Sequence, residues 1–249
     1  MKRIVLMLLV GLCAQHIHAQ DWAKARLEKS PRHHERVNIQ QGDRAIATMV
    51  VYPDAKAKKP MVVLIPDRAG LTDWFQSFAD QVAGMGYLVL APDLSSGGGL
   101  PAGQQITTDL NAVADYGLKL PASSGTLFVA GIGWGGAESF RFAADRPDVS
   151  AALVFCGDSP DKDSISRIKG SIFGFYAGND ASVDATVPPA QSAAKAAGVV
   201  FEAVTYPGVA PDFMESGDAP DAKQADKLAR GYALERMKSV LDMVSLRGY

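Results

Sequence analysis

Six short, almost wholly apolar runs recur along the chain at residues 61–65, 87–91, 126–130, 151–156, 171–176 and 200–206. An apolar run of this length without polar alternation suits a strand buried on both faces, as in a parallel sheet covered by helices. Between the runs, segments 73–84, 104–118, 136–145, 188–197 and 222–246 are amphipathic. Strand and helix patterns that alternate in this way predict an α/β protein, a three-layer sandwich around a mostly parallel central sheet. Ahead of them, residues 37–39 and 45–52 alternate well enough for edge strands joined by a turn at Gln41-Gly42-Asp43. The polar stretch 21–36 reads as irregular or helical. No repeat or long linker interrupts the pattern, which predicts one domain over residues 20–249.

The first nineteen residues follow different rules. Lys2 and Arg3 precede an apolar core at residues 4–13, and Ile17-His18-Ala19 offers a small-residue cleavage site before Gln20. That is the layout of a secretory signal peptide, too short for a membrane span, and it predicts a periplasmic or secreted protein. Leu12 is too bulky for a lipoprotein anchor at Cys13. The formal charge of −2 falls to −4 without Lys2 and Arg3, a balance that suggests neither nucleic acid nor an acidic membrane as partner. Once the leader is gone Cys156 is the one cysteine left, so no internal disulfide can form and packing must supply the stability. The glycine run after Ser95-Ser96 lacks the Gly-Lys-Ser/Thr ending of a phosphate loop and reads as a flexible loop.

Gly131-Ile132-Gly133-Trp134-Gly135-Gly136 follows one apolar run and opens a helical stretch. A strand–turn–helix corner of that kind is a nucleophile elbow, which presents a reactive Ser or Cys at its tip. Here the tip is Gly133, with no side chain to react.

Several ordered segments resemble the dienelactone hydrolases, particularly their secreted members. They are Ser30-Pro31-Arg32-His33, residues 62–65, Gly70-Leu71-Thr72-Asp73-Trp74, Gly86-Tyr87, Ala91-Pro92-Asp93-Leu94, the elbow, Gly174-Phe175-Tyr176, Gly178-Asn179-Asp180, Tyr206-Pro207-Gly208 and Phe213-Met214. The resemblance spans nearly the whole chain after the leader. It implies an α/β-hydrolase fold and a Cys–His–Asp triad acting on esters or lactones. In such a triad a thiolate attacks the carbonyl, an imidazole moves the proton and a carboxylate orients the imidazole. On this sequence the nucleophile position falls on Gly133, the acid on Asp180 and the histidine on Pro211. A family glutamate corresponds to Asp67, one methylene shorter. Two of three triad groups are therefore absent, and triad members act as a unit. Glycine at the tip also relieves the strain of a positive φ.

Relocated chemistry has weak candidates. Cys156 ends an apolar run, where an inert buried thiol is the commoner fate. Ser139 lies on the helix after the elbow with no neighbouring base. His33 and His34, the only histidines after the leader, precede the first strand, and adjacent side chains point apart, which makes a poor metal site. No metal or cofactor is implied. The elbow's backbone N–H groups at a helix N-terminus remain a candidate site for a carboxylate or carbonyl oxygen. The candidates for binding residues are Asp67, Arg68, Trp134 and Phe213, with Trp74 and Met214 as further apolar walls. These observations predict a degenerate hydrolase that binds a small ester, lactone or carboxylate. The alternatives are an active ester or lactone hydrolase with a displaced nucleophile, and a structural or interaction protein.

Overall fold

The computed structural model describes residues 20–247. The leader expectation rests on residues 1–19 and lies outside them. The elements, in order, are α1 (Asp21–Glu28), β1 (His34–Gln41), β2 (Arg44–Val51), β3 (Lys59–Ile65), α2 (Asp73–Gly84), β4 (Leu88–Asp93), α3 (Gln104–Leu118), β5 (Ser123–Ile132) and α4 (Trp134–Asp145). They continue with β6 (Val149–Phe155), α5 (Lys162–Arg167), β7 (Ser171–Ala177), α6 (Ala181–Asp184), α7 (Val187–Ala197), β8 (Phe201–Tyr206), α8 (Phe213–Ser216) and α9 (Gln224–Arg247).

One sheet of eight strands runs in the order β1-β2-β4-β3-β5-β6-β7-β8. The β1–β2 and β2–β4 pairs are antiparallel, and every other pair is parallel. The apolar runs have their cause in the two faces of this sheet. Along β3, Val62 and Leu64 join a layer with Phe75, Phe78 and Val82 of α2 and Met237 and Leu241 of α9. Met61, Val63 and Ile65 join the opposite layer, with Leu110 and Val113 of α3 and Phe140 of α4. With both faces covered from Met61 to Ile65, that stretch of the strand is wholly apolar, and the period-2 signal disappears. At the edge, β8 has lost that cover, and Glu202, Val204 and Thr205 are exposed.

Residues 34–36 belong to β1, three residues earlier than the alternation implied, because the hairpin register carries pairing out to His34 and Val51. Gly42 makes its turn at φ +57°. The short helices α5, α6 and α8 have four to six residues, too few for a period to show in sequence.

The segment around Ser30-Pro31-Arg32-His33 is held by one buried carboxylate. Asp80 of α2 accepts Ser30 Oγ at 2.6 Å and Arg32 Nε at 2.8 Å, and it pairs with His34 Nε2 at 2.8 Å. The other Arg32 nitrogen closes a bidentate fork on the second carboxylate oxygen. Burial alone would push Asp80 upward, but the bonds from Arg32, Ser30 and His34 outweigh it and hold the carboxyl below its usual range. His33 is exposed and pairs with Glu35 at 2.9 Å. Both histidines therefore serve the start of the sheet.

Candidate functional site

The corner after β5 is built backbone against backbone. A Cβ on Gly131 would lie 2.1 Å from the Gly135 carbonyl oxygen, and one on Gly135 would lie 2.3 Å from that of Ile65. Gly136 and Gly157 face each other with no more room, at 2.8 Å from the Phe155 oxygen and 2.3 Å from the Ala137 nitrogen. Gly133 itself turns at φ +57° and ψ −120°, its N–H donates to Phe155 at 2.8 Å, and α4 begins at the next residue. This is the sharp strand-to-helix turn of a nucleophile elbow, kept in full around a missing side chain.

The space at the tip is filled from elsewhere. Asp67, on the loop after β3, places its carboxylate 2.9–3.0 Å from where a Cβ on Gly133 would stand. Its Oδ1 accepts the Trp134 backbone N–H at 3.0 Å. That N–H, on the residue after the tip, is the donor that stabilises an oxyanion in elbow hydrolases. The anion hole expected to be open is thus partly closed, because a side chain of the same chain has taken one donor and the Phe155 carbonyl another.

A cleft of about 210 Å³ lies above the corner. Gly133 and Ile132 form its floor and Pro211 and Met214 one wall, while Trp74 and Phe75 of α2 give an apolar side. Asp67, Asp212 and Glu215 supply its charged groups, and among the described residues no lysine, arginine or histidine lines it. The nucleophile and histidine positions read from the sequence therefore face one cleft. Glu215 accepts Gln20 Nε2 at 2.6 Å, and Gln20 Oε1 in turn accepts the Trp74 N–H at 3.0 Å. Burial raises the Glu215 carboxyl above its ordinary range, against the hydrogen bond from Gln20.

The remaining candidates lie apart from this cleft. Asp180 caps α6, accepting Ser182 Oγ at 2.8 Å and the Val183 N–H at 3.3 Å, and does not line the cavity. The Trp134 ring packs into the opposite apolar layer with Tyr176, and the Arg68 guanidinium stacks over it at 5.4 Å. Neither the ring nor the guanidinium is among the groups that line the cleft; the backbone N–H of Trp134 is what faces Asp67 there. Phe213 is fully buried against Tyr206 at 5.2 Å and forms core, not wall. Ser139 is wholly buried and donates to the Gly135 carbonyl at 2.8 Å, an ordinary bond to the preceding helical turn.

Cys156 has φ +51°, the one non-glycine residue in that region among the described residues. Its Sγ lies 3.6 Å from the Phe175 oxygen, and burial pushes the thiol up to about 12. A thiol so far from ionisation is no nucleophile near neutral pH. Sequence reading missed Asp212, Glu215 and Gln20. The first two stand immediately beside the motif residues Phe213 and Met214, and that adjacency was the available signal.

The model of the dienelactone hydrolase family matches residues 46–245. Curated relatives named "Putative carboxymethylenebutenolidase" include one from Salmonella typhi, 25% identical over 176 residues, covering 59% of this chain and 65% of that protein. The chain thus spans just under two thirds of that relative's length. Another, from Escherichia coli K12, is 25% identical over 195 residues, covering 67% of this chain and 72% of its own. Among solved structures, a dienelactone hydrolase-like promiscuous phosphotriesterase from metagenomic libraries superposes with a TM-score of 0.76 at 16% identity. It covers 86% of this chain and 98% of that one. A dienelactone hydrolase from Anabaena variabilis gives 0.63 at 18% identity, covering 81% and 95%. At these identities the structures speak for the α/β-hydrolase fold.

Proposed function

The chain belongs to the dienelactone hydrolase family, and from that premise we propose that it binds a small ester or lactone in the elbow cleft without hydrolysing it. One observation carries this reading: Gly133 and Pro211 face the same cavity, and among the described residues no thiol or imidazole lines it. Acyl transfer by the family's route needs an atom that attacks and a base that moves its proton. The one side-chain hydroxyl on the lining belongs to Thr72, whose oxygen caps α2 by accepting the Phe75 N–H at 3.2 Å. The cavity that would hold the substrate is retained, with an apolar side for a ring or chain. A leader at residues 1–19 would place this activity in the periplasm or outside the cell.

Turnover and binding separate the readings. The purified protein and a Cys156→Ala variant are assayed with p-nitrophenyl acetate and a dienelactone-type substrate, beside buffer. Both proteins should turn over these substrates no faster than buffer. Turnover that disappears in the variant would establish a displaced thiol nucleophile and overturn it. Thermal shift against neutral esters and lactones reads binding directly, and no stabilisation by any member would also count against the proposal.

A further inference from the structure

We propose that Asp67 is the specificity residue of this cleft, a built-in occupant of the elbow N–H that excludes carboxylates and leaves the site to ligands without negative charge. This names a ligand class for the binding function proposed above, and it rests on taking the cleft as the binding site.

Three observations carry it. First, Asp67 Oδ1 accepts the Trp134 N–H at 3.0 Å, so the donor that would receive a ligand carboxylate is already satisfied by one of the same chemistry. Second, the carboxylate fills the volume a side chain at residue 133 would take, standing 2.9–3.0 Å from that Cβ position. An incoming anion must therefore turn this exposed carboxylate off the N–H and then sit beside its charge. Third, Asp212 and Glu215 line the same cavity, and no basic side chain among the described residues does. Like charges brought together in a cleft select against a partner as effectively as favourable contacts select for one. A neutral ester or lactone meets none of this repulsion. It can rest its apolar part on Trp74 and Phe75, and its carbonyl need not replace Asp67 on the N–H.

The contact makes the wild-type protein its own control. The full chain, labelled with nitrogen-15, is titrated with sodium acetate at constant ionic strength, and the Trp134 amide resonance is followed. Wild type should show no saturable shift of that resonance. Asp67→Ala frees the N–H, and acetate should then give a saturable shift at the same amide, at least about tenfold tighter than the limit the wild-type titration sets. Asp67→Asn keeps the size of the side chain and removes its charge, so it should gain affinity in the same direction by a smaller factor. It also decides the matter alone if the alanine variant does not fold. Saturable acetate binding at Trp134 in wild type, or no gain in the folded variants, would overturn the proposal. Stabilisation of wild type by neutral esters or lactones is a separate readout. A protein that passes it while the acetate arms fail keeps the binding function, and Asp67 loses its role as gatekeeper.

Discussion

A side chain at residue 133 meets two penalties at once. The backbone there has φ +57°, and the space beyond it is occupied by the Asp67 carboxylate. Left-handed strain in a non-glycine residue costs on the order of 1–3 kcal/mol. Gly133→Ala should therefore lower unfolding stability by about that amount, and by less in an Asp67→Ala background where the crowding is gone. A denaturant double-mutant cycle measures the coupling, and strict additivity would mean that Asp67 does not contact the tip. The same geometry bears on restoration: in a Gly133→Cys, Pro211→His double variant the exposed Asp67 carboxylate must swing aside to admit the thiol, so an added Asp67→Ala change should raise any activity regained. Cys156 bears similar strain at φ +51°, but there the side chain is buried. With its thiol raised to about 12, folded protein should label at Cys156 with Ellman's reagent far more slowly than urea-unfolded protein. Equal rates, with the labelled peptide mapped by mass, would refute this burial.

Among the elements, α2 joins more parts of the molecule than its sequence suggests. It covers the sheet through Phe75, Phe78 and Val82, supplies Trp74 and Phe75 to the cleft, and anchors the approach to β1 through Asp80. The Asp80–Arg32 pair is nearly dry on the carboxylate side, at 4% exposure, so removing one partner strands the other. Asp80→Asn should cost about 1–3 kcal/mol, because Arg32 loses its carboxylate but keeps 21% of its side chain in solvent. The pH dependence has a definite sign. A carboxyl held below its unfolded value stabilises the fold above that unfolded pKa and ceases to do so as pH falls through the folded one. The gap between wild type and Asp80→Asn, measured by urea unfolding, should therefore shrink as the solution is taken below about pH 4. A gap independent of pH would show that the ion pair is not what Asp80 supplies. Loss of this hub would loosen α1 and β1 before the parallel strands, because Ser30, Arg32 and His34 all lie ahead of β2.

For the molecule as a whole, periodicity carried the fold, while the site depended on pairings that no period encodes. The sheet was legible because β3, β5 and β6 are buried on both faces and leave unbroken apolar runs. The elbow was legible because its glycines are forced by close approach, so their spacing survives in sequence. Asp67 was legible as a shortened glutamate and a binding candidate, but its bond to the Trp134 N–H was not, since it joins residues 67 positions apart. Phe213 and Trp134 read as walls that could equally serve the core in part, with core the commoner role, and which side of the sheet each ring takes is settled in three dimensions. Gly131, Gly135, Gly136 and Gly157 meet backbone and leave no room for any larger residue, and position 133 turns at a positive φ that side chains rarely adopt. New reactivity in this scaffold would thus have to arrive from the loops that overhang the cavity, around residues 67–72 and 211–215, while the hinge beneath them stays as inflexible as a keystone.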